Sequence, residues 1–193
     1  MSFVEKPKRS IWTWGYQQNE PTNSERQKHA AELSRKIGIE IIPPKIPLAE
    51  ELILRPSRIK IPDNLSSYCF TDNYERALHS YGAERELAAL GEFPNPPDVV
   101  SHPSTEDELV QVLEWCDKYN YVTIPYGGGS SVVGGVTPPD DKGPIVTIDM
   151  DQFDQVLEID EISRTAKIQA GIYGPELERQ LKPSGHTLRH YPQ

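Results

Sequence analysis

Apolar and polar residues along the first third of the chain predict one helix followed by an extended segment. The clearest helical signal covers about residues 25–37, where Ser24 and Gln27 have the spacing of a capping box and Gly38 is placed to end the helix. Over residues 39–64, prolines recur among isoleucines and leucines, so no long regular element is expected there. The pattern favours an extended arm lying on another surface. A disordered linker is the alternative, which the many apolar residues disfavour.

Helical spacing returns after this arm. Asp72 and Glu75 repeat the spacing of a helix cap, and the helical region that they begin is predicted to pause at Gly82 and to end at Gly91. The two glycines therefore predict two short helices instead of one long helix.

From Pro97 onward the pattern becomes that of an α/β unit. PDVVSHP predicts a short buried strand, Ser104 or Thr105 then caps a helix that ends near Asn120, and YVTIP predicts a second strand. The apolar stripe of this helix repeats at i, i+3, i+4 and i+7, and consists of Leu109, Val112, Leu113 and Cys116. Strand, helix and strand together occupy about 30 residues, the usual length of a right-handed crossover between parallel strands.

The last part of the chain predicts a third strand, a β-hairpin and a short helix. GPIVTID gives the strand, and QVLEID with RTAKIQAG gives the hairpin. Gly174 and Pro175 are predicted to open the helix, with Leu177 and Leu181 on its apolar side and Gly185 near its end. The expected fold class is α+β, with a helical N-terminal arm followed by an α/β subdomain made of a βαβ unit and a β-hairpin.

Composition and charge narrow the classes of function. The chain has 193 residues, of which 36% are hydrophobic, and its net charge is −9, which argues against binding to a nucleic-acid backbone. No apolar run approaches the length of a membrane span, and no signal peptide is evident, so a cytoplasmic protein is expected. Cys69 and Cys116 form no metal-type pair, and Cys116 is predicted to be a buried, reduced thiol. No metal site is predicted.

The strongest candidate for chemistry is the glycine-rich loop, residues 127–135, which directly follows the second predicted strand. Three consecutive glycines cost folding entropy, which suggests that something needs the bare backbone. Successive N–H groups without Cβ atoms can form a concave anion site, to which Ser130 and Ser131 can add hydroxyl donors. A diphosphate is the natural ligand, and in so acidic a chain it has to be held locally.

Three other interpretations of the loop compete with this one. A P-loop requires Lys followed by Ser or Thr after its last glycine, and the nearest basic residue downstream is Lys142. A nicotinamide-type G-x-G-x-x-G would begin at Gly127 and Gly129, but position 132 is valine and no helix pattern follows. A plain tight turn between two strands remains open on the loop alone.

Surrounding residues add a resemblance. The run PDVVSHPSTEDELVQVLEWCDKYNYVTIPYGGGSSVVGGV resembles the opening of the FAD-binding domain of the vanillyl-alcohol-oxidase and p-cresol-methylhydroxylase superfamily, called PCMH-type, and the resemblance extends over about residues 97–193. Trp12, Trp14, Gly15 and Tyr16, with FTDNYERALHSYGAERELAALGEFPNPPDVV, resemble the alkyl-dihydroxyacetone-phosphate synthases and their bacterial FAD-linked homologues. For the two tryptophans we expect packing of the arm onto the body in preference to substrate contact.

This resemblance implies a set of cofactor-binding residues, with the loop wrapping the diphosphate of FAD. The set is Tyr126, Gly127, Gly128, Gly129, Ser130, Ser131 and Val132, to which Gly171 is added with plain turn chemistry as an equal alternative. Some relatives attach the flavin covalently through a histidine just after their glycines, where this chain has serines. Non-covalent FAD is therefore expected, and the four histidines considered are expected to be surface or packing residues: His79, His102, His186 and His190.

The resemblance also implies what the whole protein does. Residues 1–92 are taken as the N-terminal arm and helical region, and residues 93–193 as the first part of the FAD-binding domain, truncated before the family's second diphosphate segment, which is expected after Pro192. Ether-lipid synthesis of the alkylglycerone-phosphate synthase type is favoured over ordinary oxidation of a hydroxy acid or alcohol, and a non-catalytic fragment or a nucleotide- or protein-binding remnant is the alternative. The catalytic residues are not assigned, the substrate is a small molecule or lipid precursor, and a homodimer of the intact protein stays open. The chain alone is expected to bind FAD no tighter than about high micromolar, because ligands of this size usually need about 70–90% of their surface buried.

Overall fold

The computed structural model describes residues 7–140 and 142–189. The expectation for His190 lies outside these residues. The helices in this part of the chain are α1 (Asn23–Ile37), α2 (Asn73–Leu78), α3 (Glu86–Ala89), α4 (Glu106–Tyr119) and α5 (Gly174–Leu181), and the strands are β1 (Cys69–Phe70), β2 (Val99–Ser101), β3 (Val122–Tyr126), β4 (Ile145–Asp149), β5 (Val156–Asp160) and β6 (Thr165–Ile168). Short 3₁₀ turns lie at Gln17–Asn19, Ala49–Glu51, Asp63–Leu65 and Lys182–Ser184.

The main sheet has four strands in the order β1-β2-β4-β3. β2 and β3 both run parallel to β4, which lies between them, whereas β1 pairs antiparallel with β2. All five residues of β4 are buried, as a central parallel strand requires. β5 and β6 form a separate antiparallel pair, so the predicted βαβ unit, hairpin and mixed α and β class are confirmed.

The helix ends follow local capping chemistry. The hydroxyl of Thr105, one of the two predicted caps, accepts from the backbone N–H of Glu108 to begin α4. The helix ends at Asn120, as predicted, and this residue has the left-handed conformation. α1 begins two residues before the predicted start, because its capping box joins Thr22 and Glu25 instead of Ser24 and Gln27. The Glu25 carboxylate accepts from the Thr22 backbone N–H at 2.8 Å, and a carboxylate is a stronger acceptor than the neutral amide of a glutamine.

The proline-rich segment is an extended arm, as predicted, and buried charge fixes it to the sheet. Its Arg55 donates to the Asp98 carboxylate at 2.6 Å, and Arg58 donates to the same group at 2.7 Å. Asp98 is fully buried and also accepts from the backbone N–H of Ile145, at the start of β4. The arm therefore packs at the amino ends of the two parallel strands.

Two apolar clusters form the core. One lies between the sheet and α4 and consists of Ile59, Leu65, Tyr68, Cys69, Val99, Val112, Trp115, Cys116, Val146 and Ile148. The other joins the N-terminal segment to α2 and α3 and consists of Ile11, Trp12, Ala77, Leu78, Tyr81, Ala88 and Phe93. Cys116 is buried as a free thiol, as predicted. Among the described residues, no helix is long and apolar enough to cross a membrane.

Candidate functional site

A cavity of about 410 Å³ lies where four distant segments meet. The segments are the N-terminal residues 9–16, the α2–α3 region with residues 78 and 85, the glycine-rich loop, and residues 172–175 at the start of α5. The lining residues include Arg9, Trp14, Arg85, Gly128, Ser130 and Tyr173. The glycine-rich loop identified in the sequence therefore forms one wall of a pocket whose other walls come from distant parts of the chain.

Gly128 and Gly129 play different structural roles in the loop. Gly129 is buried and has a φ of +65°, and a Cβ there would lie 2.1 Å from the hydroxyl of Tyr126. Gly128 is exposed to the cavity, its φ lies outside the left-handed region, and a Cβ there would meet the Tyr173 ring at an ordinary 3.7 Å. Gly129 is thus required by the fold, whereas Gly128 leaves space beside the cavity.

Tyr126 supports the loop from beneath. Its side chain is 1% exposed and is absent from the residues that line the cavity, and its hydroxyl donates to the backbone carbonyls of Tyr81 at 3.1 Å and Leu78 at 3.4 Å. These bonds tie the end of β3 to the segment after α2, so the position of the loop depends on the N-terminal half of the chain.

Ser131 is held by the same segment. Its carbonyl accepts from the N–H of Ala83 at 2.7 Å, and a Cβ on Gly82 would lie 2.3 Å from that carbonyl oxygen. Its hydroxyl accepts from the N–H of Gly135 at 2.8 Å, which turns it toward the loop's own backbone. Val132, by contrast, is 73% exposed.

The backbone donors of the loop are largely uncommitted. Within the described residues, the N–H groups of residues 128–132 donate no hydrogen bond to a backbone or side-chain acceptor in the turns and loops of the chain. Because exposed or ligand-facing N–H groups can take an anion at little cost, this segment meets the first requirement of a phosphate site.

Gly171 is a point of close backbone approach. A Cβ there would lie 1.6 Å from the carbonyl oxygen of Met150, and its own N–H donates to the carbonyl of Phe153 at 2.9 Å. It is buried and is not among the cavity-lining residues, although the next residue, Ile172, is one of them. Glycine is needed here because the chain after β6 passes so close to the turn after β4 that no side chain fits between them.

Arg9 connects the cavity to a buried polar cluster. Its guanidinium donates to Asp149 at 2.6 Å, and the same carboxylate oxygen lies 2.8 Å from Nε2 of His79. Burial raises the pKa of Asp149, but the hydrogen bond from His79 and the charge of Arg9 outweigh it and lower that pKa to about 2. Asp149 is thus a carboxylate in the folded protein, and it neutralises Arg9.

A second histidine lies beside this cluster. His102 contacts Asp151 at 3.1 Å and Glu75 at 3.0 Å, and although burial lowers its pKa, these carboxylates raise the value to about 10. Two groups of side chains that share His102 are close enough to hold a metal ion: Glu75, His79 and His102, and His102, Asp149 and Asp151. A protonated His102 already balances the charge of the carboxylates around it, so no metal ion is needed there. His79 is fully buried, as expected of a packing residue, whereas His102 is half-buried and paired with two carboxylates, which the sequence did not predict.

Arg85 is the most deeply buried cation of the cavity. It is 8% exposed, and its terminal nitrogens donate to the backbone carbonyls of Ile11 at 3.1 Å and Leu78 at 3.3 Å. Its Nε has no partner among the described residues. Burial, with the like charge of Arg9 nearby, lowers the pKa of Arg85.

The tryptophans differ from each other. Trp12 is 7% exposed and packs in the N-terminal cluster, as expected, whereas Trp14 is 45% exposed and lines the cavity. Sequence reasoning missed Arg9 and Arg85 as residues of the site, because neither stands near the glycines in the chain. The resemblance of the N-terminal WTWGY segment was the signal that could have directed attention to them.

The cavity combines features that suit a phosphate group. It has loop N–H groups, two arginines and the start of α5, where Tyr173 provides no side-chain cap and the helix N-terminus carries partial positive charge. Aromatic and apolar side chains from Trp14, Ile172 and Tyr173 complete the walls. This donor set fits an anionic ligand with an aromatic or apolar part.

Comparison with known proteins gives consistent matches. A family model described as an FAD binding domain matches residues 97–193. The alkyldihydroxyacetonephosphate synthase of Dictyostelium discoideum is 36% identical over 158 residues, which are 80% of this chain and 25% of the synthase. Glycolate oxidase subunit GlcD of Bacillus subtilis (strain 168) is 29% identical over 58% of this chain and 22% of that subunit. A solved alkyldihydroxyacetonephosphate synthase is 25% identical with a TM-score of 0.75, covering 94% of this chain and 40% of that one. The chain thus spans about a quarter of the length of the curated relatives it matches.

Proposed function

Because the chain belongs to the FAD binding domain family, we propose that residues 126–132 hold the diphosphate of a non-covalently bound FAD in the cavity. The observation that supports this most is that Gly128 and Ser130 line a pocket that two arginines also line. Tyr126 takes part by supporting the loop from beneath, and Gly171 by placing Ile172 in the cavity wall. When bound, the flavin supplies the redox chemistry, and this chain supplies binding and orientation.

Non-covalent attachment is supported by the residues around the loop. Covalent flavin linkage needs a nucleophilic side chain beside the isoalloxazine, and residues 127–135 offer only serine hydroxyls. Cys69 and Cys116 are buried in the cluster between the sheet and α4, and burial raises the pKa of both thiols, which suppresses the thiolate. Acid denaturation should therefore release intact FAD.

For the whole protein, we favour alkylglycerone-phosphate synthase-like chemistry, in which a lipid precursor is the substrate. The N-terminal half is the support for this choice, since the likeness to the solved synthase covers 94% of the chain and so extends beyond the FAD binding domain into that half. Ordinary oxidation of a 2-hydroxy acid or alcohol is the second candidate, favoured by the glycolate oxidase subunit, whose match covers 58% of the chain.

Substitution of Gly128 by valine tests the loop assignment. Since a Cβ at this position meets no neighbour closer than 3.7 Å and the backbone is not left-handed, the variant should fold normally and place its branched side chain beside the cavity. We expect the FAD dissociation constant, measured by flavin fluorescence, to rise by at least about tenfold, as the loss of one or two charge-assisted hydrogen bonds would produce.

Gly143→Val is the matched control. Its Cβ would meet nothing within 4 Å, its φ lies outside the left-handed region, and it lies in a turn that does not line the cavity. Both variants should keep the melting temperature of the unchanged chain. If Gly128→Val binds FAD as tightly as Gly143→Val does, the loop does not hold the diphosphate.

A further inference from the structure

Arg85 forms no ion pair within the described part of the protein, although the charge of Glu84 acts on it from a greater distance. Its hydrogen bonds go to neutral groups, namely the backbone carbonyls of Ser10, Ile11 and Leu78 and the side chain of Tyr126. No carboxylate of the described residues lies within ion-pair distance. Glu84, its neighbour in sequence, instead accepts from the hydroxyl of Thr137 at 3.1 Å. A buried, unpaired charge is costly, and it is normally retained when a ligand or a partner provides the opposite charge.

Arg9 provides an internal comparison. It lines the same cavity, but Asp149 neutralises it at 2.6 Å. The cavity therefore keeps the one positive charge of Arg85, although the chain as a whole is strongly acidic with a net charge of −9. An anion that enters this pocket is attracted by a local charge against an unfavourable overall field.

The other groups around Arg85 also favour an anion. The N-cap Tyr173 and the first residues of α5, Gly174 and Pro175, line the cavity without a side-chain cap, so this helix end presents the N–H of Gly174 and the partial positive charge of the helix N-terminus. Gly128 and Ser130 line the facing wall. Three independent sources of positive potential, from residue 85, the loop and the helix at residue 174, thus meet in one cavity.

We infer that Arg85 is the counter-charge for a phosphate or diphosphate group bound in this cavity, which its side chain lines. The inference deepens the proposed function and rests on it, since the diphosphate of FAD is the ligand that the proposal places there. It assigns to the N-terminal half of the chain a direct part in binding. A guanidinium suits this task because its donors match the spacing of phosphate oxygens.

The experiment compares Arg85→Met with Arg164→Met, which removes the same charge from an exposed position in the β5–β6 turn outside the cavity. Each chain is titrated calorimetrically with inorganic diphosphate and, by fluorescence, with FAD and riboflavin. We expect Arg85→Met to raise the dissociation constant of diphosphate by at least about tenfold, the usual effect of losing a charged hydrogen-bond donor. The dissociation constant of riboflavin, which has no phosphate, should not change. Arg164→Met should match the unchanged chain with all three ligands.

A second measurement covers the case in which Arg85→Met fails to fold. In the unchanged chain, the ¹H–¹⁵N resonance of Arg85 Nε, assigned with Arg85→Lys, should shift on addition of diphosphate and saturate with the calorimetric dissociation constant. The Nε resonance of Arg164 should not move. An Arg85 resonance that stays in place at saturating diphosphate would overturn the inference, as would an unchanged chain that binds no diphosphate at millimolar concentration.

The remaining outcomes separate the two proposals. If Arg85→Met weakens the binding of FAD and of diphosphate equally, the bound anion is the diphosphate of the cofactor. If it weakens the binding of diphosphate alone, the bound anion belongs to another phosphate compound. Both outcomes support the inference. Diphosphate binding that is equal in Arg85→Met and Arg164→Met overturns it, while the proposed function still stands if Gly128→Val loses FAD. Binding of diphosphate through Arg85 without any binding of FAD supports the inference and refutes the proposed function.

Discussion

Replacement of Asp98 by asparagine should strongly destabilise the fold, because this carboxylate fixes the extended arm to the sheet. Asp98 is fully buried and accepts from Arg55, from the side chain and backbone of Arg58, and from the N–H of Ile145. Asparagine keeps the volume but loses the charge, and its amide donors would face two guanidinium groups. The loss of one partner from a buried ion pair typically costs about 3–5 kcal/mol.

The lower end of this range applies to Asp98. The side chains of Arg55 and Arg58 are 26% and 40% exposed, so water can solvate both guanidinium groups once the carboxylate charge is gone. We therefore expect the free energy of unfolding to fall by about 3 kcal/mol, which for a chain of this size corresponds to a drop in melting temperature of about 6–12 °C.

The effect should depend on pH in a defined direction. Burial raises the pKa of Asp98, but hydrogen bonds from Arg58 and Arg55 outweigh it and hold the pKa well below its usual range. A depressed pKa means that the stabilisation is complete above the unfolded value of about 3.9 and is lost as the pH falls below it. The stability difference between the unchanged chain and Asp98→Asn should thus be constant near neutral pH and shrink below about pH 4.

Urea unfolding followed by circular dichroism measures this difference. Asp63→Asn is the control, because Asp63 is exposed and its side chain makes no hydrogen bond among the described residues. A loss below about 1 kcal/mol for Asp98→Asn, within the range of ordinary surface substitutions and their errors, would refute the reasoning, as would a difference that grows on acidification.

The remaining predictions concern the loop, the turn after β4, the half-buried His102 and the cofactor. Gly129→Ala should lower the free energy of unfolding by at least about 2 kcal/mol even without flavin. The reason is that a side chain at positive φ is strained and that the Tyr126 hydroxyl would have to leave its carbonyl partners. Unchanged urea unfolding would contradict this. Gly171→Ala should cost about 1–3 kcal/mol by overpacking against the Met150 carbonyl, and a variant of full stability would show that the close approach is relaxed without cost. His102→Gln should destabilise the fold at neutral pH, and since the pKa of His102 is raised to about 10, the difference should disappear as the pH rises through that value; a difference unchanged at higher pH would show that charge is not its cause. Acid precipitation of the flavin-bound protein should leave FAD in the supernatant, and flavin fluorescence that stays with the denatured chain on a gel would contradict non-covalent binding.

Local chemistry let the sequence predict most elements of the fold. The cap at Thr105, one of the two predicted, and the stop at Gly38 depend on residues within one turn of each other, and both are confirmed. The predicted apolar stripe of α4 is confirmed at Val112 and Cys116, but Leu113 is exposed and Trp115 is buried instead. The shifted start of α1 has the same local origin, because two pairs in the same short segment have the spacing of a capping box and the sequence gives no distance between donor and acceptor. The helix predicted to continue to Gly82 ends earlier, at Leu78.

The candidate site was predicted only in part, for a physical reason. A run of glycines after a strand is visible in the sequence, since backbone freedom belongs to the residue itself, and so the loop at residues 127–135 could be identified. Which glycine the fold requires could not, because the need at Gly129 arises from the Tyr126 ring beneath it, and the need at Gly171 arises from the Met150 carbonyl. Charge compensation is equally non-local: Arg9 is neutralised by Asp149, 140 positions away, while Arg85 forms no ion pair among the described residues. The sequence by itself therefore determined the elements and the loop, whose causes lie within a few residues, and only the tertiary structure decided which charge is left for a ligand, because burial and counter-charge depend on contacts between distant parts of the chain.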